Sequence, residues 1–255
     1  MERNGLRLRV VESKEAESQE ASEVEVLKEA YEGLIRAVSH DLRAPLRHLT
    51  SFAPLLRESV EALAVQQPGS DADEAREFLG AMEQSARKMG AMLDALLQLS
   101  RAARQPMLLQ DLELIPVVQS VLAEMEVPQN AVIFSLPEGV PRIHADAAAV
   151  HAMCTEIIGN AVKFSPQQLQ LRIQISQQGT GNWMLQVQDG GVGFNAQRMA
   201  TSWPPFQRMH RESDFDGMGC GLSLVHTLAQ RQGAKLELYS QSGEGCTARI
   251  FWPAA

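Results

Sequence analysis

The stretch Ala37-Val38-Ser39-His40-Asp41-Leu42-Arg43-Ala44-Pro45-Leu46 sets an imidazole beside a carboxylate inside a long apolar repeat. Around it, apolar side chains recur at Leu27, Tyr31, Leu34, Val38, Leu42, Pro45, Leu49, Phe52, Leu56, Val60 and Leu63. Steps of three and four predict one amphipathic helix, over about residues 24–65, that buries a single stripe. His40 falls about 200° round the helix from Val38 and Leu42, at ~100° per residue, so it is expected on the solvent side. Pro45 lacks the amide that would bond the Asp41 carbonyl, which predicts a kink or loosening beside His40. Asp41 can favour the tautomer that leaves one ring nitrogen free as a nucleophile. An isolated His-Asp pair on a helix is otherwise an ordinary surface feature, so the neighbouring motifs decide its meaning.

Gln66-Gln67-Pro68-Gly69-Ser70 stops the first helix, and Asp71 or Asp73 is expected to cap a second. The seam of that second helix reads Phe78, Met82, Ser85, Met89, Met92, Leu96, Leu99 and Ala103, flanked by Leu79, Ala86, Leu93 and Leu97. Two such helices form a hairpin whose apolar stripe is too wide for one partner to cover. A dimeric four-helix bundle is the economical solution; a monomeric hairpin packed on its own C-terminal half is the alternative left open. After Gln105-Pro106 the pattern turns mixed. A helix is expected over 112–125, strands over 132–136, 169–176 and 183–187, a helix over 222–232, and strands over 235–239 and 247–252. The parity of Trp183, Leu185 and Val187 carries Asp189 onto an inward face. Strands and helices in this order predict an α/β sandwich, with helices layered on a mixed sheet.

Composition narrows the function. At 255 residues and 45% hydrophobic, the chain can bury two modest cores. A net charge of −8 argues against nucleic acid as a partner, because no basic excess is available to neutralise phosphates. No apolar run approaches the ~18 to 20 residues of a membrane span, and no apolar signal core opens the chain, so a soluble cytoplasmic protein is expected. Cys154, Cys220 and Cys246 are odd in number and show no CxxC spacing, which suggests neither a disulfide framework nor a zinc site. His48, His144, His151, His210 and His226 share no metal-ligand spacing and read as structural or surface residues. Residues 1–22, basic and apolar and then Glu-rich, are a polar tail or a helical extension of the bundle.

Four motifs follow in the C-terminal half. In Glu156-Ile157-Ile158-Gly159-Asn160-Ala161-Val162-Lys163-Phe164-Ser165, the polar Glu156, Asn160 and Lys163 stand at i, i+4 and i+7, roughly 100° from the apolar side. Asn is a poor former of helix interiors, so something other than propensity favours it there. An amide oxygen suits Mg²⁺, and a lysine suits phosphate oxygens. Asp189-Gly190-Gly191-Val192-Gly193-Phe194 is a carboxylate leading into a glycine turn, and a buried acceptor of that kind can read an exocyclic amine. Gly217-Met218-Gly219-Cys220-Gly221-Leu222 opens a helix, whose N-terminus can face phosphates. Gly243-Glu244-Gly245-Cys246-Thr247 precedes the final strand. Each motif alone is a common turn or a solvated helix face.

Ser39 to Leu46 resembles the H-box of sensor histidine kinases. The four later motifs resemble, in order and spacing, the N, G1, G2 and G3 boxes of the histidine-kinase ATP-binding domain, which shares its fold with gyrase-type ATPases. Trp203-Pro204-Pro205-Phe206-Gln207-Arg208-Met209-His210 resembles the F-box, with most likeness to phytochrome-type kinases. The resemblance runs from about Val24 to Pro253. It implies three segments: 1–22 as the tail, 23–105 as the dimerisation and histidine-phosphotransfer domain, and 106–255 as the catalytic ATP-binding domain.

By that likeness His40 is the phosphoacceptor and Asp41 its general base. Asn160, with Glu156 on the same stripe, is the Mg²⁺ side of the ATP site, and Lys163 and Arg208 contact phosphates. Asp189 takes the adenine amine, Gly191 and Gly193 shape the adenine pocket, and Thr247 supports it. Gly217, Gly219 and Gly221 form the hinge of a lid over about Asn195 to Met218, a stretch with few apparent core anchors. The implied partners are a second copy of the chain, the receiver domain of a response regulator and a separate sensor protein.

Some positions depart from the family pattern. Ala44 stands where many members carry Thr or Asn, which predicts weak phosphatase activity. Glu156 stands where many kinases carry Asn and gyrase-type ATPases carry a water-activating Glu. Cys220 reads either as a thiol of lowered pKa that senses oxidants or as a small apolar filler. Two other functions stay open at this point: a nucleotide-binding scaffold that transfers little, and an ATPase that uses Glu156 with water.

Overall fold

The computed structural model describes residues 33, 35, 37–66, 69–165, 169–179, 181–195, 203–211 and 214–253. The tail expected over 1–22, the first turns expected from Val24, and parts of the expected lid (196–202 and 212–213) lie outside the described residues. The chain divides into two units, Met1–Ser100 and Arg101–Ala255.

The first unit is a helical hairpin. Its first helix, α1, runs over residues 37–66 without a break, so the missing amide of Pro45 does not interrupt it. The second helix, α2, spans Ser70–Arg104. It starts on Gly69, whose carbonyl accepts from the amides of Ala72 and Asp73. Asp71 and Asp73 therefore lie in the first turn rather than at the cap, where their charge still favours the positive helix end.

The expected seam is displaced by one residue along most of both helices: Val60 stays inward as expected, and on α2 the residues expected as flanks, Leu79, Ala86, Leu93 and Leu97, lie inside. Ser39, Leu46, Ala53, Arg57, Val60 and Ala64 turn inward on α1, against Leu79, Glu83, Ala86, Gly90, Leu93 and Leu97 on α2. Val38, Leu42, Leu49, Phe52, Leu56 and Leu63, with Phe78, Met82 and Met89, stay 43–64% exposed. Hydrophobicity alone would bury the greasier stripe first. The hairpin instead closes on its smaller stripe, which lets the helices approach until a Cβ at Gly90 would stand 3.3 Å from Leu46 Cδ2. Ion pairs then set the register. Arg57 donates to both Glu83 oxygens at 3.2 and 2.7 Å, Arg43 to Asp94 at 2.6 Å, and Arg76 to Glu61 at 2.9 Å.

The second unit layers three helices on a mixed sheet. In chain order it contains β1 (Leu109–Glu113), α3 (Leu114–Glu124), a 3₁₀ turn (Gln129–Ala131), β2 (Val132–Ser135), β3 (Arg142–Asp146), α4 (Ala147–Lys163), β4 (Leu171–Gln178), β5 (Asn182–Gln188), α5 (Gly221–Arg231), β6 (Lys235–Ser240) and β7 (Cys246–Trp252). The five-stranded sheet has the order β2-β4-β5-β7-β6, with β2 parallel to β4 and the other neighbours antiparallel. Alternation puts Ile173, Val187 and Ala248 in one buried row and Ile175, Leu185 and Ile250 in the next. Val118 and Val121 of α3, Val150, Met153 and Ile158 of α4, and Val225 and Ala229 of α5 supply the helical side of that core.

Four elements differ most from expectation: β1, α3, β3 and β4. The helix expected from Leu112 begins at Leu114, because Leu109–Glu113 pairs antiparallel with β3, Leu112 opposite Ile143. β1 carries no period-two signal, so the pairing, not propensity, makes it a strand. β3, which has no counterpart among the expected strands, does alternate, with Ile143 and Ala145 buried between exposed Arg142 and His144. The strand expected from Leu169 starts at Leu171, where pairing with β2 begins. Asp146 ends β3 and caps α4, its Oδ1 accepting from Ala149 at 2.9 Å.

Candidate functional site

His40 stands on α1 with its side chain 88% exposed, as the helical spacing predicts. Its Nδ1 lies 3.1 Å from Asp41 Oδ1. With the proton on Nδ1, that N–H donates to the carboxylate and Nε2 keeps its lone pair.

The polar stripe of α4 meets the glycine loop before α5. A Cβ at Gly221 would fall on Glu156 Oε2 and 3.8 Å from Asn160 Nδ2, and a Cβ at Gly217 would come within 2.9 Å of Lys163 Nζ. A Cβ at Gly219, where φ is +74°, would stand 2.5 Å from the Gln207 carbonyl and 3.1 Å from Arg208 Cγ. Glycine is required here because the backbone itself forms the wall against these side chains. Glu156, Asn160, Lys163, Arg208, Gly217, Gly219 and Gly221 thus share one corner of the second unit.

Charge in this corner is tuned by burial. Burial holds the Lys163 ammonium below its usual pKa, Arg208 adds to the effect, and Asp216 and Glu156 offset it. Two cations so close in a half-buried place favour an anion between them. Burial also pushes the Glu156 carboxyl up, with Lys163 opposing. The Lys163 ammonium lies 4.4 Å from the centroid of the Phe164 ring. Glu156 and Asn160 offer two oxygen donors one turn apart, a set that fits a hard cation retaining water and phosphate oxygens as its other ligands.

A second corner forms around Asp189, which is 6% exposed. Its Oδ1 accepts from the amides of Gly191 at 2.8 Å and Cys246 at 3.2 Å. Burial raises its pKa, and these backbone bonds pull the other way. The neighbouring turn is locked by backbone contact: Val192 donates to the Phe164 carbonyl at 3.1 Å and Gly243 to the Val192 carbonyl at 2.7 Å. A Cβ at Gly191 would fall on the Phe164 carbonyl, and one at Gly193 on the Gln241 carbonyl. Thr247, the second residue of β7, lies opposite Gln188 and Tyr239, next to the Cys246 amide that Asp189 holds. Phe164 links the two corners, since its carbonyl underlies the Gly191 turn and its ring underlies Lys163.

The His40 hairpin and the two corners of the second unit fall in separate family matches. Residues 30–105 match the family model "His Kinase A (phospho-acceptor) domain", and residues 145–255 match "Histidine kinase-, DNA gyrase B-, and HSP90-like ATPase". Together they make the chain a sensor histidine kinase core. It is 26% identical over 254 residues to the methanogenesis regulatory histidine kinase FilI of Methanothrix harundinacea, covering 98% of this chain and 28% of that protein. It is 25% identical over 213 residues to cyanobacterial phytochrome B of Nostoc, covering 82% of this chain and 27% of that protein. The kinase core thus spans less than a third of either relative. Its fold resembles that of full-length ShkA, solved in complex with AMPPNP, at a TM-score of 0.60 and 20% identity over 87% of this chain and 45% of that one. Among the described residues no helix is long and apolar enough to cross a membrane.

Several site features of this kinase core were not legible beforehand. The stretch expected to have few anchors has aromatic ones: Trp203 stacks on His226 at 5.8 Å, and Phe215 meets Phe164 edge-on at 4.9 Å. His210, read from spacing as structural or surface, sits in that aromatic group. Gly245 stood in the fourth motif without a role of its own, yet a Cβ there would fall on the Asp189 carbonyl. Cys220 is buried, and burial raises its thiol pKa, so it is a filler and not a thiolate sensor.

Proposed function

We propose that this kinase core binds Mg²⁺·ATP in the second unit, transfers the γ-phosphoryl group to His40, and passes it to an aspartate on the receiver domain of a response regulator. The observation that carries this reading is the exposed His40 with Asp41 at 3.1 Å on Nδ1. Asp41 holds the Nδ1 proton, and Nε2 attacks the γ-phosphorus as the bond to the β–γ bridging oxygen breaks and ADP leaves with the electron pair. Asp189 takes the adenine amine, Gly191 and Gly193 with Thr247 wall the base, and Lys163 and Arg208 hold the phosphates beside the Gly217–Gly221 loop. Mg²⁺, when bound, neutralises phosphate charge, and Asn160 and Glu156 would hold it.

A homodimer is supported by the outer stripe of the hairpin. Nine large apolar side chains there are about half exposed, and since fully burying an exposed one contributes ~1.5–3 kcal/mol, about half of that is left for a second hairpin to gain at each. Ala44 offers neither hydroxyl nor amide to orient water, so dephosphorylation of the partner is weak. A cytoplasmic setting, a separate sensor protein as the source of the signal, and the three segments 1–22, 23–105 and 106–255 complete the reading.

The test is an acid-labile label from γ-labelled ATP on the full chain. His40→Gln abolishes it and Asp189→Asn, which removes the adenine contact, prevents it; label that survives His40→Gln overturns the assignment. A second reading rests on the raised pKa of Glu156 beside Asn160. There Glu156 takes a proton from water and phosphate is released directly. Free phosphate release that is unchanged by His40→Gln and lost in Glu156→Gln favours it.

A further inference from the structure

His210 has no part in the reaction as described, yet it has the most ring contacts in the second unit's described residues. Its centroid lies 5.2 Å from Phe164, 5.3 Å from Phe215 and 6.4 Å from Phe194. The three phenylalanines come from three places. Phe164 follows Lys163 at the end of α4, Phe194 closes the turn after Asp189, and Phe215 precedes the Gly217–Gly221 loop. One imidazole therefore joins the base corner, the phosphate corner and the loop between them. Arg208, two residues away, donates to the Phe215 carbonyl, so the ring that backs Phe215 also backs the guanidinium.

We propose that His210 is a positioning residue for nucleotide: its neutral ring fastens residues 206–211 and 214–217 to the end of α4, holding Arg208 and Lys163 as a pair for the phosphates. This rests on the nucleotide reading of the site. Offset and tilted ring pairs of this kind add attraction beyond burial. A charged imidazolium would lose hydration among three phenyl rings and would face Lys163. The charged groups that bear on the ring are Lys163 from α4 and Asp214 from its own segment; the turn after β5 contributes the Phe194 ring. Burial lowers the imidazole pKa, Lys163 lowers it too, and Asp214 raises it, with burial the largest influence. The anchor is thus made at neutral pH and released as pH falls through the lowered pKa.

The experiment compares the full chain with His210→Phe, which keeps an aromatic ring, and His210→Ala. Binding of a non-hydrolysable ATP analogue with Mg²⁺ is measured at about pH 8 and about pH 5.5, either side of the ordinary imidazole pKa. At the higher pH His210→Phe binds like the parent, and His210→Ala binds roughly 2- to 12-fold more weakly, the range one aromatic pair is worth. On acidification the parent weakens more than His210→Phe, by at most about tenfold at this lower pH, which lies about one unit below the ordinary imidazole pKa. Identical pH profiles for parent and His210→Phe, or parent-like binding by His210→Ala, overturn the proposal.

A second readout needs no nucleotide: amide exchange of residues 206–217, compared between chains at one pH. Faster exchange in His210→Ala, and in the acidified parent relative to acidified His210→Phe, supports the anchor even if no analogue binds, in which case the proposed function fails alone. Exchange that ignores all three side chains overturns the anchor whatever the analogue does.

Discussion

Gly190 and Gly191 are adjacent and interchangeable to the eye, and the structure predicts opposite outcomes for replacing them. A Cβ at Gly190 meets nothing within 4 Å, whereas one at Gly191 falls on the Phe164 carbonyl and 2.9 Å from Asp189 Oδ1. Relieving that overlap costs about 1–3 kcal/mol, the usual range for overpacking. The amide bonds from Val192 to Phe164 and from Gly191 to Asp189 would be stretched, adding about 1 kcal/mol each. Gly191→Ala should therefore cost about 3–5 kcal/mol, a large share of the ~5–15 kcal/mol by which a domain is stable. Gly190→Ala should be neutral or gain about 0.4–1 kcal/mol through the unfolded chain. Thermal unfolding of the two variants tests this, with Gly191→Ala falling by roughly 10 °C and losing any shift on adding nucleotide. Equal melting temperatures for the two would refute the claim that the end of α4 is wedged beneath this turn.

Other perturbations probe the hairpin and the buried acid. Phe52→Glu with Met82→Glu places charge on the outer stripe and should give monomers by light scattering, with helicity retained because neither residue lines the inner seam. Arg57→Glu and Glu83→Arg should each loosen the hairpin, and the double exchange should restore it, as read by urea midpoint. Arg57 holds the Glu83 carboxyl below its usual range through a direct hydrogen bond, so the pair stabilises the hairpin above the unfolded carboxyl pKa and is lost as pH falls through the folded one. Asp189 runs the other way. Its raised pKa means the folded state holds its proton longer, so stability falls as pH rises from the unfolded to the folded value. Asp189→Asn should raise the melting temperature at neutral pH and flatten that dependence while abolishing nucleotide binding, a separation of stability from function visible in one titration.

The family was readable from the chain because its chemistry sits in short, local words. His40 beside Asp41, the Glu156-Asn160-Lys163 stripe, Asp189 at the end of an alternating strand and three glycine runs each depend on residues a few positions apart, where helical and strand periods translate spacing into direction. The same local rules gave β2, β5, β6, β7 and α5 nearly to the residue. They misjudged whatever depends on a distant partner. β1 is a strand only because β3 lies beside it, and most of the hairpin seam moved one residue because small side chains and ion pairs on a second helix outbid a greasier stripe.

What the sequence determined by itself was the set of reactive side chains and the periodic faces that carry them. Tertiary structure alone decided which apolar stripe is left exposed, that Gly191 tolerates no side chain where Gly190 does, and that His210 belongs among three phenylalanines, Phe164, Phe194 and Phe215, far apart in the chain. Period follows from backbone geometry, which every residue carries locally. Close approach depends on groups that meet only after the chain has folded, so no spacing announces it.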